Sequence, residues 1–332
     1  MSRLASRGRK LRGSQLTLAV TVALVAPVTV AAAQSLELEL TRMLDGLKAK
    51  SSLYAKHLPT GKTVAVRADQ PMNTLSVIKL AVMIQAFRDA EVKKLDLAAR
   101  YSIRPEDQRR GSGLIQTFDV GLSPTYRDLV EQMIITSDNT ATDILINKVG
   151  RERVNQTLAQ FGFKETRLKA TTGDLFREVW IRLDPKNASL TDRQVFEKGF
   201  PTDTVSARRS FALEGDSTKW LGRTTARETV QMLEGIHTAK YASKENSQAM
   251  VGMMSRQLYS SRLPQRLAWK PGIAVAHKTG DWPPYAGNDV GIIFYPGGPL
   301  LIAIYTNQNT GDFFELEATE GRIAERLVRE WR

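Results

Sequence analysis

The 332-residue chain contains no cysteine and only three histidines. The first absence excludes disulfides, thiol nucleophiles and a lipid attached to a processed amino-terminal Cys. His57, His237 and His277 stand far apart and in no metal-ligand spacing, so no metal or other cofactor is expected. Also lacking is any basic stripe interleaved with aromatics. Arg109-Arg110 and Arg208-Arg209 are isolated pairs and the other cations are dispersed, which speaks against a nucleic-acid partner.

Long apolar runs are missing except near the amino terminus. Arg3, Arg7, Arg9, Lys10 and Arg12 precede an apolar, small-residue run from Leu16 to Ala33 that ends Ala31-Ala32-Ala33-Gln34. This is the layout of a secretory signal peptide over residues 1–33, with an uncleaved anchor as the alternative. Export to the periplasm or medium is the expectation, with membrane contact only through that segment. Five of the excess positive charges in the formal +12 belong to it, so a large share of the basicity is a targeting feature. Residues 34–332 are enough for a large core or two lobes without staples.

Taken in order, Leu36, Leu38, Leu40, Leu44 and Leu47 predict an amphipathic first helix. Strands at 52–58 and 63–67 flank the turn Pro59-Thr60-Gly61-Lys62. Leu80 to Phe87 is almost wholly apolar, which predicts a buried central helix opening near Ser76, with Asn73 or Thr74 at its cap. Residues 92–265 read as helical. Within them lies an aromatic-rich excursion at about 171–221, too apolar for a disordered linker and long enough to expect a function for it. After Pro271 the period changes to two, predicting strands at 273–280, 290–295 and 300–307, then a closing helix over 315–331. The fold class expected is α+β: an antiparallel five-stranded sheet flanked by the N- and C-terminal helices, from about 34–91 and 266–332, plus an all-helical lobe over about 92–265. Strands from both ends share one sheet only if the middle is a separate lobe, leaving a cleft between sheet and helices.

Three short strings fall along that cleft. In Ser76-Val77-Ile78-Lys79 the i, i+3 spacing sets a hydroxyl and an amine on one face of a helix start, although at average usage such a string arises by chance about once in a chain this long. Ser137-Asp138-Asn139 lies between two apolar helices, where the same residue types also serve as ordinary caps. Lys278-Thr279-Gly280 closes a strand, where a lysine is also a common surface cation.

Together, in this order and on these elements, the three strings resemble those of the class A serine β-lactamase-like family within the β-lactamase and penicillin-binding protein superfamily. The resemblance extends over the mature chain, including Phe161-Gly162-Phe163, Thr166-Arg167-Leu168 and Ile302-Ala303-Ile304-Tyr305-Thr306. It implies that Ser76 is the acylated nucleophile and Lys79 its base. For that Lys79 must be neutral, and bringing a lysine from about 10.4 to about 7 costs roughly 4–5 kcal/mol of disfavoured charge. Burial and a second cation, Lys278, would supply it. The resemblance also implies that Ser137 relays a proton to the leaving nitrogen and that Asn139 holds the substrate amide. Lys278 and Thr279 of the Lys278-Thr279-Gly280 motif would bind the substrate carboxylate, and the backbone N–H groups of Ser76 and Asp281 would form the oxyanion hole.

The chain departs from the family at one place. Where the family carries the Glu that activates the deacylating water, this chain has Thr172, and the loop beyond is tens of residues longer. Glu178 and Asp174 are the nearest substitutes, Glu178 being the catalytic candidate. The expected function is therefore an exported hydrolase of β-lactams, serving β-lactam catabolism and antibiotic resistance. The alternatives are a D,D-peptidase-like peptidoglycan enzyme and a penicillin-binding module that acylates without efficient turnover. The substrate is a small β-lactam or peptidoglycan peptide, and the protein is expected to act as a monomer.

Overall fold

The computed structural model describes residues 26–332, with side chains from Gln34 onward; residues 1–25 of the expected signal segment lie outside the described residues, and 26–33 form the first part of the opening helix. The chain runs through α1 (Ala26–Asp45), β1 (Lys50–His57), β2 (Thr63–Val66) and β3 (Met72–Asn73) to a single 3-10 turn at Leu75–Ile78 that leads directly into α2 (Lys79–Glu91). There follow α3 (Tyr126–Ile135), α4 (Asn139–Val149), α5 (Arg151–Gln160), β4 (Arg167–Leu168), α6 (Thr172–Leu183), α7 (Asp192–Lys198) and α8 (Thr204–Gly215). The chain continues with β5 (Gly222–Thr224), α9 (Ala226–His237), α10 (Lys244–Met254), β6 (Ala274–Trp282), β7 (Ala286–Phe294), β8 (Leu300–Asn307) and α11 (Phe313–Glu330). No described helix is long and apolar enough to cross a membrane.

The main sheet has five antiparallel strands in the order β2-β1-β8-β7-β6. The first hairpin and the last three strands thus share one sheet, as the two-ended strand pattern requires. Alternation along β8 divides the interior. Leu300, Ile302 and Ile304 pack into a core with α1 and α11, while Leu301, Ala303 and Tyr305 face the larger core formed with the helices. Nearly every side chain of α2 is buried, which explains its lack of a polar face: helices surround it on one side and the sheet closes the other.

The sequence expectation for the start of α2 is modified. Ser76 sits on the 3-10 turn, and the α-helix begins at Lys79. Thr74 makes no side-chain cap; Asn73 Oδ1 accepts from the Leu75 N–H at 3.2 Å instead. The excursion at 171–221 folds into α6, α7 and α8, anchored by buried Leu175, Val179, Val195, Phe196 and Leu213. A small second sheet, β3-β5-β4, ties both ends of this region to the strand leading into Ser76.

Candidate active site

Leu75 has φ +45°, a left-handed conformation that is unfavourable for a bulky residue. It is held by its surroundings: Thr74 N–H donates to Gly222 O at 3.0 Å, and the Asn73 N–H donates to Asn307 Oδ1 at 2.9 Å. The bend lifts Ser76, which is half-buried, onto the wall of a cleft of about 920 Å³. As a first-turn residue Ser76 has an N–H with no intrahelical acceptor. Gly280 lets β6 press against this turn, because a Cβ there would lie 2.5 Å from Thr74 O. The glycine of the third string is thus required by close packing.

Behind Ser76 the two lysines are fully buried and bridged by one hydroxyl. Lys79 Nζ lies 3.2 Å and Lys278 Nζ 3.0 Å from Ser137 Oγ. Lys79 Nζ also reaches Ser137 O at 2.7 Å and Asn139 Oδ1 at 2.8 Å, and Lys278 Nζ donates to Thr279 O at 2.9 Å. Burial, and then the charge of Lys278, push the Lys79 amine well below the usual lysine range. Burial also lowers Lys278, to about 7, against the pull of Asp281 and Asp289. Carboxylates favour the charge of both lysines, Asp281 and Asp289 that of Lys278 and Asp138, Asp143 and Asp281 that of Lys79, while the charge of Lys278 opposes that of Lys79; one hydroxyl between them suits one ammonium and one neutral amine, here Lys278 and Lys79. The bridge then has one consistent polarity: Lys278 donates to Ser137 Oγ, and the Ser137 O–H donates to the lone pair of a neutral Lys79. That polarity links a cation, a hydroxyl and a neutral amine.

Ser137 is also placed by a left-handed backbone, φ +56°, and its carbonyl accepts from Ser112 Oγ at 3.0 Å. Asp138 has the capping role: it accepts from the N–H groups of Ala141 at 2.9 Å and Ile115 at 2.8 Å, starting α4. Asn139 Nδ2 donates to Arg110 O at 2.9 Å. Thr279 Oγ1 is buried without a protein hydrogen bond, which leaves its donor and acceptor capacity for a ligand. Asp281 lines the cleft on β6, the edge strand of the sheet, where alternate N–H groups point away from the neighbouring strand.

Sequence reasoning did not single out Arg262. It is buried, lines the cleft, pairs with Asp281 and donates to Asn288 O at 3.0 Å. Although burial opposes its charge, Asp281, Glu320 and Asp289 hold it firmly cationic. Its position in an irregular segment, far in sequence from its partners, offers no periodicity or motif to find it.

The Beta-lactamase enzyme family matches residues 35–331, essentially the whole described chain. The chain belongs to that family. A beta-lactamase of Streptomyces fradiae is 27% identical over 292 residues, covering 85% of this chain and 81% of that protein. A beta-lactamase of Amycolatopsis lactamdurans is 27% identical over 206 residues, covering 59% of this chain and only 63% of that one. Among solved structures, a beta-lactamase from Sphaerobacter thermophilus superposes with a TM-score of 0.72 at 23% identity, covering 89% of this chain and 96% of that one.

Within this β-lactamase fold the substitute acids are displaced from the cleft, which corrects the expectation for Glu178. Thr172, Leu175, Phe176 and Val179 recur at i, i+3, i+4 and i+7 and make the cleft face of α6. Glu178 falls outside that stripe and pairs with Lys219 at 3.0 Å and Arg182 at 3.7 Å. Asp174 points away as well, capping α6 with Thr171 and pairing with Arg177. Thr172 is buried and committed: its Oγ1 donates to Asp143 Oδ1 at 2.9 Å, and its N–H donates to the same oxygen at 2.8 Å. Asp143 Oδ2 accepts from Gly173 N–H at 2.8 Å and Arg109 Nε at 2.7 Å. This saturated carboxylate anchors the start of α6.

Proposed function

We propose that this enzyme is an exported serine hydrolase that opens β-lactams through an acyl-enzyme on Ser76. What carries the reading is the single hydroxyl, Ser137 Oγ, bridging two buried lysines, of which Lys79 is one helical turn from Ser76. Neutral Lys79 takes the proton of Ser76 Oγ as that oxygen attacks the lactam carbonyl. The oxyanion is met by the N–H groups of Ser76 and Asp281. As the carbon–nitrogen bond breaks, the proton held by Lys79 passes through Ser137 to the leaving nitrogen, and Lys79 is neutral again. Lys278, Thr279 and Arg262 supply the positive, hydrogen-bonding end of the cleft for a substrate carboxylate. Asn139 holds the amide of the substituent. Hydrolysis follows when water attacks the ester carbonyl and Ser76 regains its proton.

The base for that second step is Lys79. The carboxylates lining the cleft, Asp203, Asp281 and Glu317, are all engaged: Asp203 caps α8, Asp281 pairs with Arg262, and Glu317 accepts from Ser261 Oγ at 2.5 Å. Slow turnover is the consequence, and it favours one further reading, a penicillin-binding protein or D,D-peptidase-like enzyme that forms the same ester and releases β-lactams poorly. The basic and apolar amino-terminal segment supports export, and β-lactam resistance or catabolism follows for a cell that secretes an enzyme with adequate turnover.

Incubating the purified protein with a chromogenic cephalosporin, while following colour and intact mass together, separates these readings. Turnover well beyond one equivalent is expected. One equivalent of colour with a persistent adduct would instead assign the penicillin-binding function, and absence of both would remove β-lactams as substrates.

A further inference from the structure

The cleft is larger and more apolar than ring opening at Ser76 requires, and the residues responsible belong to the 171–221 excursion. A volume of about 920 Å³ stands near the upper end of pockets that enclose drug-sized ligands. Beyond Asn139 and Thr172 the wall is Leu175, Phe176 and Val179 of α6, and then Phe200 and Pro201. Phe176 and Phe200 meet edge-on at 4.9 Å. The charged side chains of α6 are paired on its other faces, and the one charged residue of the excursion that lines the cleft, Asp203, is a carboxylate engaged in capping α8. Tyr285 faces the wall from the sheet side, its hydroxyl donating to Ala207 O at 2.9 Å and its ring edge-on to Phe211 at 5.5 Å. The excursion therefore spans the cleft as a roof seated on both lobes.

The two ends of the cleft differ in chemistry. Arg262 and Asp281 line one end, where β6 also carries buried Lys278 and Thr279, and the α6 wall adjoins Asn139. A substrate whose carboxylate meets the first and whose amide meets Asn139 sends the substituent on that amide beneath the roof. We infer that residues of the excursion build a substituent pocket selecting β-lactams that carry a large, uncharged aryl or alkyl acylamino group. This rests on the β-lactam reading above and names the substrate class of that same site.

The test is a series of penams sharing one nucleus and differing only in the acylamino group: acetyl, phenylacetyl, octanoyl, and a carboxylate-terminated chain of octanoyl length. The rate of Ser76 acylation is followed by intact mass. Acylation efficiency is expected to rise roughly tenfold or more from acetyl to octanoyl and to fall back for the charged chain. In Ala207→Trp, which fills the roofed space, and in Phe200→Ala, which removes part of its wall, the octanoyl-to-acetyl ratio should collapse toward one. A variant that merely folds poorly loses both rates and keeps the ratio. Equal acylation by every member of the series overturns the pocket while leaving the β-lactam reading in place. No adduct with any member overturns both.

Discussion

Lys278 is a buried cation with two jobs that pull in opposite directions. Near Lys79 its charge helps to keep the base neutral, while its own burial brings it to about 7. In the proposed reaction a substrate carboxylate binds the protonated form, so affinity is full below that value and declines as pH rises through it. The expected outcome is a KM for a carboxylate-bearing β-lactam that increases between about pH 7 and pH 9, with no such increase for the corresponding neutral ester. Steady-state profiles of both substrates check this, and a KM that is flat for the acid would show that Lys278 does not carry the recognition. Thr172 invites a second test. A lone Thr172→Glu sets a carboxylate beside buried Asp143 and removes the hydroxyl that donates to it, so about 3–5 kcal/mol of destabilisation is expected. Thr172→Glu combined with Asp143→Asn removes the like charge and should accelerate deacylation of a preformed adduct relative to the wild type. Thermal unfolding and the decay of adduct mass measure the two effects; a fully stable single variant would refute the role given to Asp143.

At the scale of elements, the roof depends on how α8 is seated. Glu214 is buried, and burial raises its carboxyl. It accepts from Asn73 Nδ2 at 3.2 Å, from Gln308 N–H at 2.9 Å and from Gln308 Nε2 at 2.6 Å. α8 is thereby tied to the strand that precedes Ser76 and to the end of β8. Glu214→Ala strands those donors at about 1–3 kcal/mol each, and a lower unfolding temperature with accelerated proteolysis between α7 and α8 is expected. Wild-type proteolysis and stability would mean that the roof is held elsewhere. These long-range ties also explain where sequence reading succeeds. α2 and β8 were legible because burial on all sides leaves a nearly continuous apolar run, broken only by Gln85 in Leu80–Phe87 and unbroken in Leu300–Tyr305. α6 was not, because its charged residues pair across the excursion with Lys219 and Asp216, partners that only the fold brings near. Glu178 looked available for catalysis for that reason. The central constellation was readable because each of its strings lies on one local element; Arg262 and Asp143 were not, because their roles are defined by partners distant in sequence.

For the whole molecule, two cores back the sheet, one with α1 and α11 and the other with the helices around α2. The second core fixes Lys79 on α2, Ser137 at the entry to α4 and Lys278 on β6 against one another, so the site is a property of the packed seam. The proposed nucleophile of that seam is Ser76. The direct measurement is to quench the protein with benzylpenicillin, digest it and locate the added mass. One adduct per chain is expected, on the peptide containing Ser76, and none in Ser76→Ala. An adduct on another residue, or undiminished labelling of Ser76→Ala, would contradict it.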